Sequence, residues 1–174
     1  MLEIALPNTI GFDPARIEQI YDRLALWVHE DKIPGVGIAI GRHGKTLEPR
    51  VFGRQRPDMS SPAMPEDAIF LIASITKPLT AMAVMMLVER GELELDNMVV
   101  EHVPEFATNG KDKVRVRHLL THTSGLPDMP PENERLRAEH QPLEAFVRAI
   151  CQLKLEFEPG TAVQYQSAGI VMLA

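Results

Sequence analysis

The sequence predicts an α+β fold: a mostly helical portion joined to an N-terminal helix and the first two strands of an antiparallel sheet. Three observations carry this reading. Apolar residues recur at helical spacing over residues 13–29, a β-branched run followed by a turn and a return at 36–52 reads as a hairpin, and the later apolar runs follow helical periods.

The 174 residues fit one domain, or one domain and part of another, with ample apolar content for a core. The net charge is −6 and no basic cluster stands out, which argues against a nucleic-acid partner. Cys151 is the single cysteine, so neither an intrachain disulfide nor a cysteine-ligated zinc site can form. Its apolar helical setting makes it a small core residue. Met1 to Asn8 lacks a basic region and a long apolar run, so no signal peptide is visible and a cytoplasmic location is the default, with a periplasmic or extracellular one if a precursor has been trimmed. The longest apolar run, Ala81 to Val88, is too short for a transmembrane segment.

Asp13 and Pro14 are a capping residue and a first-turn proline, and they open a helix to about His29. Ile17, Ile20, Tyr21, Leu24 and Trp27 or Val28 give it an apolar face. Val36 to Ile40 is a strand, Arg42 to Lys45 a turn, and Thr46 to Phe52 the returning strand. Pro49 cannot donate to a ladder, so the returning strand is an edge and Val36 to Ile40 an inner strand in need of a second neighbour. Gly53 to Asp67 is a connecting loop rich in Pro, Arg and Ser, where Arg54 and Arg56 read as solvated charges.

The stretch from Phe70 to Gly91 carries an almost wholly apolar helix with Ser74 and Lys77 at its mouth and Gly91 as its cap, and Met82, Met85 and Met86 are assigned to core packing. Glu92 to Phe106 reads as an ordered loop with short turns. Val114 to Leu126 is a short helix ending in a Ser124-Gly125 turn, Met129 to Gln141 a loop, and Pro142 the start of an amphipathic helix bearing Leu143, Phe146, Val147 and Ile150. A new apolar element begins after Val163 and runs to Ala174, an ending without cap or polar tail that suggests a fragment.

Ser74 and Lys77 stand three residues apart at the mouth of the apolar helix, on one face, so the amine reaches the hydroxyl. Serine is a weak nucleophile until a neighbour takes its proton, and free N–H groups at a helix start favour a developing oxyanion. The same four letters also describe an N-capping serine followed by a solvated lysine. Pro78 fits a first turn but disfavours helical geometry at Lys77.

Three segments in order resolve this choice. Phe70-Leu-Ile-Ala-Ser-Ile-Thr-Lys77, Val116-Arg-His-Leu-Leu-Thr-His-Thr-Ser-Gly-Leu-Pro127, and Pro159-Gly160 followed by Tyr165 together resemble the serine β-lactamase and penicillin-binding-protein superfamily. The likeness is to its class C-like branch, with D-Ala-D-Ala carboxypeptidases and related esterases, and it matches the N-terminal half only. It implies one incomplete domain over 1–174, with the helix and hairpin in 1–58 and a helical subdomain in 59–174. It also implies that Ser74 is the acylated nucleophile, that Lys77 helps deprotonate it, and that Tyr165 is the second general acid/base. Ser167 stands where an amide is common in the second motif, at a substrate-binding position, which weakens specificity for β-lactams.

The implied activity is a serine hydrolase forming an acyl-enzyme on a small ester, amide or lactam, without metal or organic cofactor. The alternative is a non-catalytic relative that binds peptidoglycan or a partner. The resemblance places a third motif, a Lys-Thr-Gly or His-x-Gly strand that donates one oxyanion N–H, in a C-terminal half outside this sequence. Loss of one such donor costs on the order of 10²- to 10³-fold, so the 174 residues alone are expected to be a poor enzyme or none. The strand at Val36 to Ile40 is expected to pair with that missing half or with a partner chain. His118 and His122 have a helical metal-binding spacing, but no carboxylate motif accompanies them.

Overall fold

A computed structural model describes residues 2–174. The chain forms two compact units, one ending at Leu71 and the other running from Ile72 to Ala174. No helix among the described residues is long and apolar enough to cross a membrane.

In the first unit, strand β1 (Glu3–Ile4) precedes helix α1 (Pro14–His29). The Asp13 carboxylate accepts the Ala15 N–H at 2.9 Å, which satisfies one of the donors a helix start leaves free. The helix buries Ile17 and Tyr21, while Ile20 and Trp27 stay exposed at 41% and 39%, so its buried stripe is narrower than the periodicity suggests. Strand β2 (Gly35–Ile38) pairs antiparallel with β5 (Arg50–Gly53), Val36 opposite Phe52. Between them, β3 (Gly41–Arg42) and β4 (Lys45–Thr46) form a tight hairpin through His43 and Gly44, both at positive φ, as a mirror-image turn demands.

The expected continuous strand from Thr46 to Phe52 is therefore broken in two. Its first part joins a sheet ordered β1-β4-β3, its second joins β2, and the break spans Leu47 to Pro49. Pro49 has no N–H to offer a ladder, and Leu47 turns into the core at 3% exposure instead of continuing the strand. Ile10, Ile17, Tyr21 and Leu47 form that core, with the Arg50 guanidinium 4.1 Å over the Tyr21 ring. Gly53 closes the β2–β5 ladder at φ 84°, where a Cβ would come within 2.3 Å of the Pro34 carbonyl oxygen, so only glycine fits.

The second unit begins with a 3₁₀ turn (Ala73–Ile75) that runs into α2 (Thr76–Glu89). Pro78 causes no conflict there. It lies in the first turn, where N–H groups lack intrahelical partners anyway. Gly91 at φ 71° follows the helix end, its N–H donating to the Val88 carbonyl.

The assignment of Met82, Met85 and Met86 to the core is corrected: they are 61%, 44% and 47% exposed, and α2 buries only Val84. A helix apolar on every face cannot turn all of them toward one neighbour.

Two further expectations are corrected. Glu92 to Phe106 is not only turns, because it carries α3 (Val99–His102) and the start of a 3₁₀ segment (Pro104–Lys113). The loop expected at 129–141 contains α5 (Asn133–Ala138), a short helix that buries only Leu136 and so leaves no apolar period to read. Helices α4 (Val116–Leu120), α6 (Leu143–Cys151) and α7 (Ala168–Val171) complete the unit. Its core comprises Val99, Phe106, Val114, Leu119, Leu126, Ile150, Cys151 and Ala168.

Candidate active site

Ser74 sits in the 3₁₀ turn that opens onto α2, directly after Ala73, which adopts φ 44°. A left-handed alanine is strained by roughly 1–3 kcal/mol, and such strain persists only where the surroundings impose it. The turn presents the Ser74 side chain outward. It does not cap the helix, because the cap position of α2 is Ile75 and no side-chain cap bond forms there.

The Ser74 hydroxyl is instead engaged by two other groups. Lys77, one helical step along in α2, places Nζ 3.1 Å from Ser74 Oγ, and the Tyr165 hydroxyl donates to the same oxygen at 2.7 Å. Lys77 Nζ also lies 4.9 Å from the centre of the Tyr165 ring. Tyr165 lies 91 residues from Ser74 in the chain, so only the fold of this unit brings them together.

Hydrogen bonding with the Lys77 ammonium, and then with Ser74, holds the Tyr165 phenol below the usual tyrosine range, against smaller opposing effects of burial and of Asp128. The phenol is 53% exposed, so solvent screens these effects. The direction matters chemically, because a phenol that loses its proton more readily can accept one from a serine.

Ser74, Lys77 and Tyr165 line a cavity of about 390 Å³ with His122, and Leu120 and Ile170 contribute apolar wall. Ser167 is not brought into this group. Its backbone N–H donates to Asp128 Oδ1 at 2.7 Å, its side chain makes no cap bond at the start of α7, and it does not line the cavity.

The loop that carries Tyr165 has no regular structure of its own over residues 162–166. The turn at 122–128 holds it. The His122 carbonyl accepts the Gln164 N–H, the Thr123 carbonyl the Gly160 N–H, and the Asp128 carbonyl the Ala168 N–H. Buried Gln166 donates to Ser124 Oγ at 3.2 Å and accepts from the Gly169 N–H. Gly125 makes the approach possible, since at φ 82° a Cβ there would lie 2.1 Å from the Phe157 carbonyl oxygen.

His118 and His122 both use Nδ1 to accept backbone N–H groups, from Arg115 and Gln166 respectively. Among the described residues, no third His, Cys, Asp or Glu joins them as a metal-holding group. Sequence reasoning left His122, Gln166 and Asp128 out of the site. For His122 the signals were its place in the 116–127 segment and the turn chemistry of Ser124-Gly125, whereas nothing local marks Gln166 or Asp128.

Comparison with known proteins places the whole second unit, and most of the first, within one family match. The family model described as Beta-lactamase matches residues 16–174. Esterase EstB of Burkholderia gladioli is 34% identical over 169 residues, covering 88% of this chain and 42% of EstB. The crystal structure of a class C beta lactamase superposes with TM-score 0.72 at 26% identity, covering 94% of this chain and 44% of that one. D-amino acid amidase from Ochrobactrum anthropi gives TM-score 0.76 at 25% identity, covering 90% of this chain and 43% of that one. The chain thus spans less than half the length of each of these proteins.

Proposed function

The chain belongs to the beta-lactamase family, and on that premise we propose that it carries the nucleophile of a serine hydrolase, with Ser74 acylated by a small ester, amide or lactam. The observation that supports this most is the engagement of one oxygen, Ser74 Oγ, by both Lys77 Nζ and the Tyr165 hydroxyl. In the proposed cycle the Tyr165 phenolate, favoured by the Lys77 charge, takes the Ser74 proton as Oγ bonds to the substrate carbonyl carbon. The tetrahedral intermediate collapses with cleavage of the bond to the leaving group, which receives that proton from Tyr165. Water then attacks the acyl-serine, giving its proton to Tyr165, and Ser74 regains a proton as the acid departs. The proposed range of substrates draws its support from the relatives, which include an esterase, a beta-lactamase and an amidase.

A burst of product from a chromogenic ester tests this reading, measured on this chain and on a longer protein continuing past Ala174. We expect the longer wild type to show a burst equal to the enzyme concentration and Ser74→Ala to show none. This chain alone is expected to acylate slowly or not at all, because family members draw an oxyanion donor from a strand it does not include. Absence of a burst in the longer wild type would overturn the reading.

A second reading, a non-catalytic module that binds peptidoglycan or a partner, draws support from Ser167, which stands at the second motif's usual amide position yet lies outside the cavity. That reading requires ligand binding that survives Ser74→Ala, without turnover in either protein.

A further inference from the structure

One residue grips three consecutive positions of the Tyr165 loop. The His122 carbonyl accepts the Gln164 N–H at 3.0 Å, its ring packs 4.9 Å from the Tyr165 ring at a 40° tilt, and its Nδ1 accepts the Gln166 N–H at 3.4 Å. The loop has no helix or strand to fix it, so the position of the phenol depends on such contacts. His122 itself adopts φ 59°, a left-handed conformation that is uncommon for a non-glycine residue. That conformation aims its carbonyl, ring and Nδ1 at one short stretch of chain.

We propose that His122 is the positioning residue of this site, setting the Tyr165 hydroxyl against Ser74 Oγ and beside Lys77 through its Nδ1 bond to Gln166 and its ring contact with Tyr165. An imidazole that accepts at Nδ1 carries its single proton at Nε2, so the bond needs the neutral ring. The role rests on reading Tyr165 as the proton carrier, but the geometry it claims can be measured without catalysis. The charged groups that act on Tyr165 are Lys77, which lowers its pKa, and Asp128, which raises it. A phenol swung away from Lys77 loses the larger of these influences.

The side chains separate cleanly. His122→Gly relaxes the left-handed backbone while removing both ring and acceptor. His122→Asn tolerates the same backbone and offers an acceptor oxygen near the place of Nδ1. His122→Ser, too short to reach the Gln166 N–H, replaces the glycine variant if that one does not fold.

The chain has two tyrosines, Tyr21 and Tyr165, so in a Tyr21→Phe background tyrosinate absorbance against pH reports Tyr165 alone. With the fold checked by circular dichroism, we expect Tyr165 in His122→Gly to titrate back toward the ordinary tyrosine value and His122→Asn to restore the lowered one. In the longer protein, fluorophosphonate labelling of Ser74 is expected to slow on the order of 10²-fold in His122→Gly, as a displacement of about 1 Å does, and to recover to within about tenfold in His122→Asn. A Tyr165 titration that is the same in wild type and folded His122→Gly would overturn the positioning role, whatever the labelling. A wild type that is never labelled, but whose Tyr165 titration moves in His122→Gly, would overturn the hydrolase reading and uphold the positioning.

Discussion

At the scale of single residues, the site depends on how one cation is shared. Lys77 approaches both Ser74 Oγ and the Tyr165 ring, and its ammonium is the leading cause of the lowered Tyr165 pKa. A depressed pKa makes the basic form available at lower pH, so with Tyr165 as the proposed base the rate of Ser74 acylation is expected to rise as pH climbs through the Tyr165 value and to level off above it. Lys77→Met is expected to move that rising limb to higher pH, toward ordinary tyrosine, and to slow acylation at neutral pH by roughly 10²-fold or more, read from pH–rate profiles of Ser74 labelling. Ser74 and Lys77 were legible because side chains three apart on a helix meet whatever the tertiary fold, but only the order of the three segments set them apart from a capping serine and a solvated lysine. His122 was not, because its bond to Gln166 spans 44 positions and no local pattern encodes it.

At the scale of elements, two interactions hold the second unit in shape. His118 accepts the Arg115 N–H at 3.1 Å across the start of α4, the reciprocal half of a capping box. Burial, then the charges of Arg115 and Arg117, depress the His118 pKa below 6.5. The unfolded chain therefore binds this proton first. The contribution of His118 to stability is fully present above pH 6.5 and is lost as pH falls from there through the folded value. His118→Gln, whose amide oxygen can make the same cap without titrating, is expected to flatten this acid limb in urea melts taken across pH 4 to 7 (about the range of ordinary histidine titration).

The second interaction is Lys111, fully buried, whose Nζ donates to the carbonyls of Thr108 at 2.8 Å and Leu153 at 2.5 Å and thereby ties the 3₁₀ segment to the end of α6. Burial lowers its pKa, so holding the charge there is costly, yet removal of the amine strands two buried acceptors at about 1–3 kcal/mol each. The stranded acceptors outweigh the relief, and Lys111→Met is expected to destabilise the chain by roughly 1–3 kcal/mol in urea.

Elements with strong local chemistry were readable in advance: α1 from its Asp13-Pro14 start, the β3–β4 turn from His43-Gly44, and α6 from its apolar face. The split at Pro49 was only half readable. The missing N–H could be foreseen, but not that Leu47 would be recruited to the core or that β1 would pair with β4. Helix α5 went unseen for want of more than one buried apolar residue.

At the scale of the whole molecule, Ser74, Lys77, Tyr165 and His122 all belong to the unit that starts at Ile72, and that unit has its own core. The geometry of the site therefore depends on this core and on the close approach at Gly125. Gly125→Ala is expected to cost more than about 2 kcal/mol, seen as a lowered melting temperature, since it adds a steric clash to an unfavourable φ. In the other unit, β2 pairs with β5 alone among the described residues, so the N–H groups on its far side lack ladder partners. Hydrogen exchange is expected to find those amides of Val36 to Ile38 weakly protected, and strong protection along the whole strand would refute a free edge.

The family membership was legible from three short segments in order, whereas the exposure of Met82, Met85 and Met86 was not, because an all-apolar helix carries no periodicity to say which side is buried. Every proposed catalytic role in the site depends on Ser74 being the acylated residue. Intact-mass analysis with peptide mapping after fluorophosphonate treatment of the longer protein tests it most directly. A single adduct located on Ser74 and absent from Ser74→Ala is expected; an unmodified wild type, or an adduct that persists in Ser74→Ala, would refute acylation at Ser74.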